Sequence, residues 1–272
     1  MPYEPSSNAG GGGLYIARNG DYNDGGHVIV SGNQLINNTA GGLLIMHELS
    51  SCFRNVTLQS NIVQNNIGYG CAMLLETRNS ILINNIVTDN TVDMWNVPHA
   101  AVTIYSELSA KIINNTITGN VRTNEGGGGG GLALYLLGDL KDSIPPSNQS
   151  KAMLYNNIIW GNKAKIHADI FIDNDTDNDA VASPVELLNN DFDPARPSGF
   201  FTKRYFPIHA SNLKNVVPGF VAPEGLDYHL KADSPVIDKG NNNAPALPKR
   251  DFEGNSRVIG AAVDMGADEC EP

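Results

Sequence analysis

Aromatic residues are scarce in this chain, at 7%, and cations are few: 18 Lys and Arg face 29 Asp and Glu among 272 residues, a formal charge of −11. A surface of that sign repels polyanions at long range, which argues against nucleic acid and anionic membranes as partners. No run of 18 apolar residues occurs, so no membrane-spanning helix is expected. The opening Met1-Pro2-Tyr3-Glu4-Pro5 has neither the basic flank nor the apolar stretch of a signal peptide. Cysteine is too sparse for a disulfide framework or a zinc cluster. Cys52, Cys71 and Cys270 are odd in number and lack CxxC spacing, and Cys71, within an apolar strand pattern, is expected in the core. The six histidines are scattered, and the run Gly126 to Gly131 lacks the Lys-Ser/Thr of a phosphate loop.

What is abundant is asparagine in repeating phrases. Val28-Ile-Val-Ser-Gly-Asn33-Gln-Leu-Ile-Asn-Asn38 aligns without gaps with Val56–Asn66, Ser80–Asn90, Ala110–Asn120 and Ala152–Asn162; Val185–Phe192 keeps the first half. Three residues before and two after the first aligned Asn the chain is apolar, from Val30 and Leu35 to Leu187 and Phe192, so these positions point inward. Asn33, Asn61, Asn85, Asn115, Asn157 and Asn190 fall between two short strands, where the chain must turn and Asn tolerates unusual backbone angles. Stacked at the strand spacing of ~4.8 Å, their amides would bond from coil to coil, with a second ladder from Asn38 to Asn162. Intervals of 28, 24, 30, 42 and 33 residues suit a solenoid with unequal loops and rule out a leucine-rich or ankyrin array. A second strand precedes each phrase, with Leu14, Leu43, Cys71, Val102, Leu132 and Ile170 inside.

The expected fold is therefore all-β: a right-handed parallel β-helix of about six coils over residues 1–217, with handedness following the general rule for parallel crossovers. Residues 218–272 form a closing segment. Its phrases Leu226 to Gly240, Asp251 to Gly260 and Val263 to Glu269 resemble the end of many secreted bacterial parallel β-helix repeat proteins, which implies a cap over the last coil. The Gly-rich stretch after Asn124-Glu125 and the insertion Gly138 to Lys151 are expected to be flexible loops.

Two outward columns carry candidate chemistry. Counting six residues from the aligned Gly or Ala of the second strand gives Asn19, Glu48, Glu76, Glu107, Leu137 and Asp175, a run of three carboxylates. Such a run would hold calcium, accept sugar hydroxyls, supply an acid and base pair, or simply splay into solvent. Counting four residues gives Ala17, Met46, Leu74, Tyr105, Tyr135 and Asp173, an apolar strip with two tyrosines on which sugar rings stack unless a loop covers it. Trp95 would extend that strip, and Tyr155 with Trp160 forms a second candidate platform on another face.

The phrases of polygalacturonases, pectin methylesterases and alginate epimerases are absent, and the basic residue a pectate lyase needs has only Lys111 as an obvious candidate on the repeat strands. The repeat region and closing segment together resemble the β-helical carbohydrate-binding modules attached to bacterial plant-polysaccharide hydrolases. That resemblance implies a non-catalytic module of a secreted or cell-surface protein, an upstream catalytic partner, a polysaccharide ligand and xylan as that ligand. A β-helix lyase or hydrolase using the acidic column, with calcium as a candidate ion, and an adhesin or spacer are the alternatives.

Overall fold

A computed structural model describes residues 13–18, 26–39, 42–47, 53–68, 72–93, 99–124, 129–137, 150–174 and 184–271. Among these the chain is all-β, with no α-helix and one 3-10 turn at Pro223–Gly225. It passes repeatedly through the same three sheets, and every pairing within them is parallel.

The largest sheet is 11-stranded and has two branches. One runs through Leu14–Arg18, Leu43–His47, Met73–Ile83, Val102–Ile113, Leu132–Leu136, Ile170–Asp173 and Phe200–Thr202. The other pairs His27–Ser31, Phe53–Gln59, Lys151–Tyr155 and Val185–Leu188 along the same two long central strands. A register shift between Ser106 and Ser109 separates the branches. The second sheet stacks seven short strands, Gln34–Ile36, Ile62–Gln64, Ile86–Thr88, Thr116–Thr118, Ile158–Trp160, Asp191–Phe192 and Leu213–Lys214, and a third stacks Ile67–Gly68, Thr91–Val92 and Val121–Arg122. Period-two alternation sends one face of each strand inward. Val30, Leu58, Leu82, Ile112, Leu154 and Leu187 share one core with Val63, Val87, Ile117, Ile159 and Phe192.

Both asparagine ladders form. In the first, Asn61 Nδ2 donates to Val30 O at 2.9 Å and to Asn85 Oδ1 at 3.0 Å, while its own Oδ1 accepts the Asn33 amide and side chain, each at 3.1 Å. All four bonding positions of the side-chain amide are thus used, which is why a fully polar column is tolerated in the interior. The pattern continues through Asn115, Asn157 and Asn190 to Asn212, one rung beyond the six found in the repeat. The second ladder runs from Asn38 to Asn162 and ends on Asp169, whose Oδ1 takes the next position at 3.1 Å from Asn162 Nδ2.

The unusual backbone angle, however, belongs to the residue before each first-ladder Asn. Gly32, Ser60, Asn84, Asn114, Asn156 and Asn189 have φ between 51° and 69°, the left-handed region. This turn rotates the following Asn side chain to the inside.

The closing segment lies along the flank of the repeat, where a cover over the last pass was expected. Phe220, Tyr228, Leu230, Val236, Met265 and Ala267 cluster with Ile86 and Ile158 on the outer face of the second sheet, while Ala244 and Leu247 pack on Ile83, Ile113 and Tyr155 around the corner. The left-handed asparagines hold it there. Asn84 Nδ2 donates to Arg250 O at 2.6 Å, Asn114 Nδ2 to Asp264 O at 3.0 Å, Asn156 Nδ2 to Asn241 O at 3.2 Å, and Asn189 Nδ2 to Lys239 O at 2.8 Å. Gly266, at φ +94°, fits so closely that a Cβ would sit 2.7 Å from Ile158 Cδ1. Internally the segment is tied by Arg257, 1% exposed, which donates to the carbonyls of Asp264, Gly266, Ala267 and Asp268. At the last pass it is Phe206 and Ile208 that pack against the end of the core.

Candidate functional site: an aromatic row on the outer face

The outer face of the large sheet's first branch carries the apolar strip. Ile104, Leu134 and Ile172 point into the core, so their neighbours face outward in two columns: Thr103, Ala133, Phe171 and Phe201 in register, and beside them Glu76, Tyr105, Tyr135 and Asp173. The rings form a continuous row. Tyr105 and Tyr135 stack with centroids 4.5 Å apart and planes at 12°, Tyr135 meets Phe171 at 5.5 Å, and Phe171 stacks on Phe201 at 5.5 Å and 10°. Two histidines brace the ends. His99 stands edge-on to Tyr105 at 5.9 Å with Nε2 3.0 Å from the phenol oxygen, and His167 lies 4.6 Å from Phe201. Burial, with the Arg122 charge added, pulls His99 down to about 4, so its ring is neutral at physiological pH.

Exposure along the row is uneven. Tyr135 is buried, 8% exposed, sealed between Tyr105 and Phe171, whereas Tyr105, Phe171 and Phe201 are half-buried and present ring area outward. Tyr135 is therefore a spacer that fixes its neighbours. Glu76 next to Tyr105 and Asp173 next to Tyr135 put carboxylates beside the rings, and Lys203 Nζ lies 3.5 Å from Asp173 Oδ2.

The acidic column of the sequence reading does not form. Counting from Gly70 set Cys71 level with Leu43 and Val102, but Met73 takes that position, two residues later. Glu76 moves into the tyrosine column and Leu74 shifts level with Thr103. Glu107 is also lost as a surface acceptor. At 1% exposed it is buried in the shifted register after Ser106, with Oε2 3.3 Å from Arg78 Nε. Unpaired, a carboxylate at that depth would be costly, so Arg78 compensates it in place.

The second platform is covered as well. Tyr155 is buried under Ala244 with its hydroxyl donating to Glu186 at 2.8 Å; burial, then the Glu186 bond and charge, push it up to about 12. Trp160 is half-buried and packs against the closing segment. Glu48, Trp95 and Cys71 lie outside the described residues, as does the insertion at 138–149. The Gly-rich stretch differs from a flexible loop in its last three residues. Gly129, Gly130 and Gly131 are buried, Gly130 and Gly131 pair into neighbouring passes, and a Cβ on Gly130 would lie 2.7 Å from Ala168 O.

Phe171, Phe201, His99 and His167 were missed from the sequence. The signal for Phe201 was present: Gly199-Phe200-Phe201-Thr202 is a seventh copy of the second-strand phrase seen in Gly42-Leu43-Leu44-Ile45. No helix among the described residues is long and apolar enough to cross a membrane. The chain matches no protein-family model, no curated protein and no solved structure.

Proposed function

We propose that the chain is a non-catalytic carbohydrate-binding module, built on a right-handed parallel β-helix of about six coils, that recognises a neutral plant cell-wall polysaccharide. The aromatic row carries this reading. Tyr105, Phe171 and Phe201 leave ring area exposed on three of four adjacent strands, an apolar strip along which a glycan chain laid across the passes can set its C–H faces. Glu76 and Asp173 flank the rings, where carboxylates accept hydroxyl hydrogen bonds. A charge of −11 penalises pectate and alginate but imposes no such cost on a neutral chain, so xylan is the first ligand to test. In this reading the module works outside the cell or at its surface, joined to an upstream catalytic module.

Affinity electrophoresis against xylan, β-glucan, mannan and pectin, with product analysis, tests the proposal. Retardation on a neutral glycan without product supports it. No retardation on any of the four sinks it, and released oligosaccharides move the chain to the lyase or hydrolase class. Phe201→Ala and Tyr105→Ala should each weaken binding roughly fivefold, the equivalent of about 1 kcal/mol of ring stacking. Trp160→Ala should lower stability and leave retardation unchanged.

A further inference from the structure

A second cluster lies in the closing segment, away from the aromatic row. His229, on the strand Asp227–Leu230, Glu253, in the turn after Asp251, and Asp268, in the tail, bring one ligand atom each to within 4.8 Å of one another. The three come from separate stretches of chain. His229 Nδ1 is 2.5 Å from Asp227 Oδ1, which turns Nε2 toward Glu253 Oε1 at 3.1 Å. A carboxylate holding one imidazole nitrogen so that the other faces outward is the usual outer support of a metal-bound histidine. Asp268, 5% exposed, spends Oδ2 on the Leu230 amide at 2.8 Å, and its other oxygen takes no hydrogen bond from any described residue. Nearby, the buried Asp251 acts on Asp268 through its charge, and its Oδ2 likewise has no partner. Two buried carboxylates with unused oxygens thus lie beside an oriented imidazole; the buried Arg257 acts on both through its charge but gives its Nη1 and Nη2 hydrogen bonds to backbone carbonyls.

We propose that His229, Glu253 and Asp268 bind a divalent transition-metal ion of the zinc type. One nitrogen and two oxygen donors on three segments match an open three-ligand site that leaves a position for water. Arms of about 2.1 Å at tetrahedral angles need donors about 3.4 Å apart. The His229 to Glu253 separation of 3.1 Å is close to this, and the Asp268 donor lies within 4.8 Å of both. The ion would staple strand, turn and tail together, stabilising the segment that covers the flank.

Titration of the chelator-treated full chain with Zn²⁺ alone, followed by calorimetry and by the melting temperature, tests this. One equivalent should bind and raise the melting temperature. Glu253→Gln and His229→Gln should each weaken binding at least tenfold, and Asp227→Asn by roughly ten- to a hundredfold through loss of the histidine's support. Glu253 is exposed in a turn, so its variant folds whatever becomes of the others, and metal-free melts of all three check that point. Absence of saturable binding, or binding by Glu253→Gln and His229→Gln as tight as the parent's, overturns the proposal. His209→Gln, at an exposed histidine in another segment, should bind as the parent does; if it alone abolishes binding, the site lies elsewhere.

Discussion

The early and the later passes meet the same backbone demand with different residues. Where the first ladder begins, the left-handed corner is filled by Gly32 and Ser60; from the third rung on it is filled by Asn84, Asn114, Asn156 and Asn189. All six tolerate positive φ in these turns, but only the asparagines add an outward amide. Each of those four amides is bonded to the closing segment, whereas among the described residues neither Gly32 nor Ser60 bonds it through a side chain. The Asn-Asn pair thus has a divided role. Its second member builds the interior ladder, and its first fastens the flank cover. Where no described segment bonds the corner, a residue that merely accepts the turn suffices.

Separating the two roles by mutation should break or sharpen this contrast. The largest effect is expected at the ladder. Asn115→Ala removes the acceptor of the Asn85 amide and side chain and the donor to Asn157 and Leu82, leaving several buried groups unpaired. A loss of about 3 kcal/mol or more is expected in urea unfolding, and a loss under about 1 kcal/mol would mean that the ladder is dispensable.

The next effect concerns the pass before the last, where Asp191 stands in the register position that Ile158 holds one pass earlier. Burial raises the Asp191 carboxyl to about 7, with the Asp169 charge adding to it, and Asp169 is itself raised to about 6 by burial. Groups raised in the folded state favour folding while protonated, and that stability is lost as pH climbs from about 4 through these values. Asp191→Asn keeps the acceptor for the Val216 amide and removes the charge. It should stabilise the chain by on the order of 3 kcal/mol at pH 8 and have little effect at pH 4, read from melts at both. Equal effects at the two pH values would contradict the assignment.

The smallest effects test the corner itself. Asn114→Gly keeps the positive φ but drops the bonds to Asp264 and Gly266, so it should cost about 1–2 kcal/mol and speed proteolysis within residues 218–271. Ser60→Asn should stay within about 0.5 kcal/mol of the parent, because among the described residues none bonds the side chain at that corner. If the two variants behave alike, the division of labour between early and late corners is wrong.

The two-residue slip in the third pass explains where reading the strands went astray. A slip of one residue would have turned apolar side chains outward and betrayed itself in the pattern; a slip of two keeps every side chain on its own face. Cys71 and Met73 both fit an inward position by polarity alone. Only the pairing of Met73 with Leu43 and Val102 decides between them, and with it whether Glu76 sits beside Glu107 or beside Tyr105. Exposure was hidden for a related reason. Tyr135 and Tyr155 lie on outward faces as alternation requires, yet one is sealed by its neighbours in the row and the other by a segment almost 90 residues further along the chain.

By itself the sequence determined the all-β repeat, the inward positions within the asparagine phrases and the two asparagine ladders, because these depend on contacts that recur at corresponding places in every pass. The sequence also placed Tyr105, Tyr135 and Asp173 in one column; the tertiary structure alone decided that Glu76 joins them in place of Leu74, that the segment after residue 217 covers the flank, and that Phe171 and Phe201 complete the aromatic row. Those outcomes rest on single, unrepeated meetings between distant stretches, and a pairing made only once leaves no period in the chain to read.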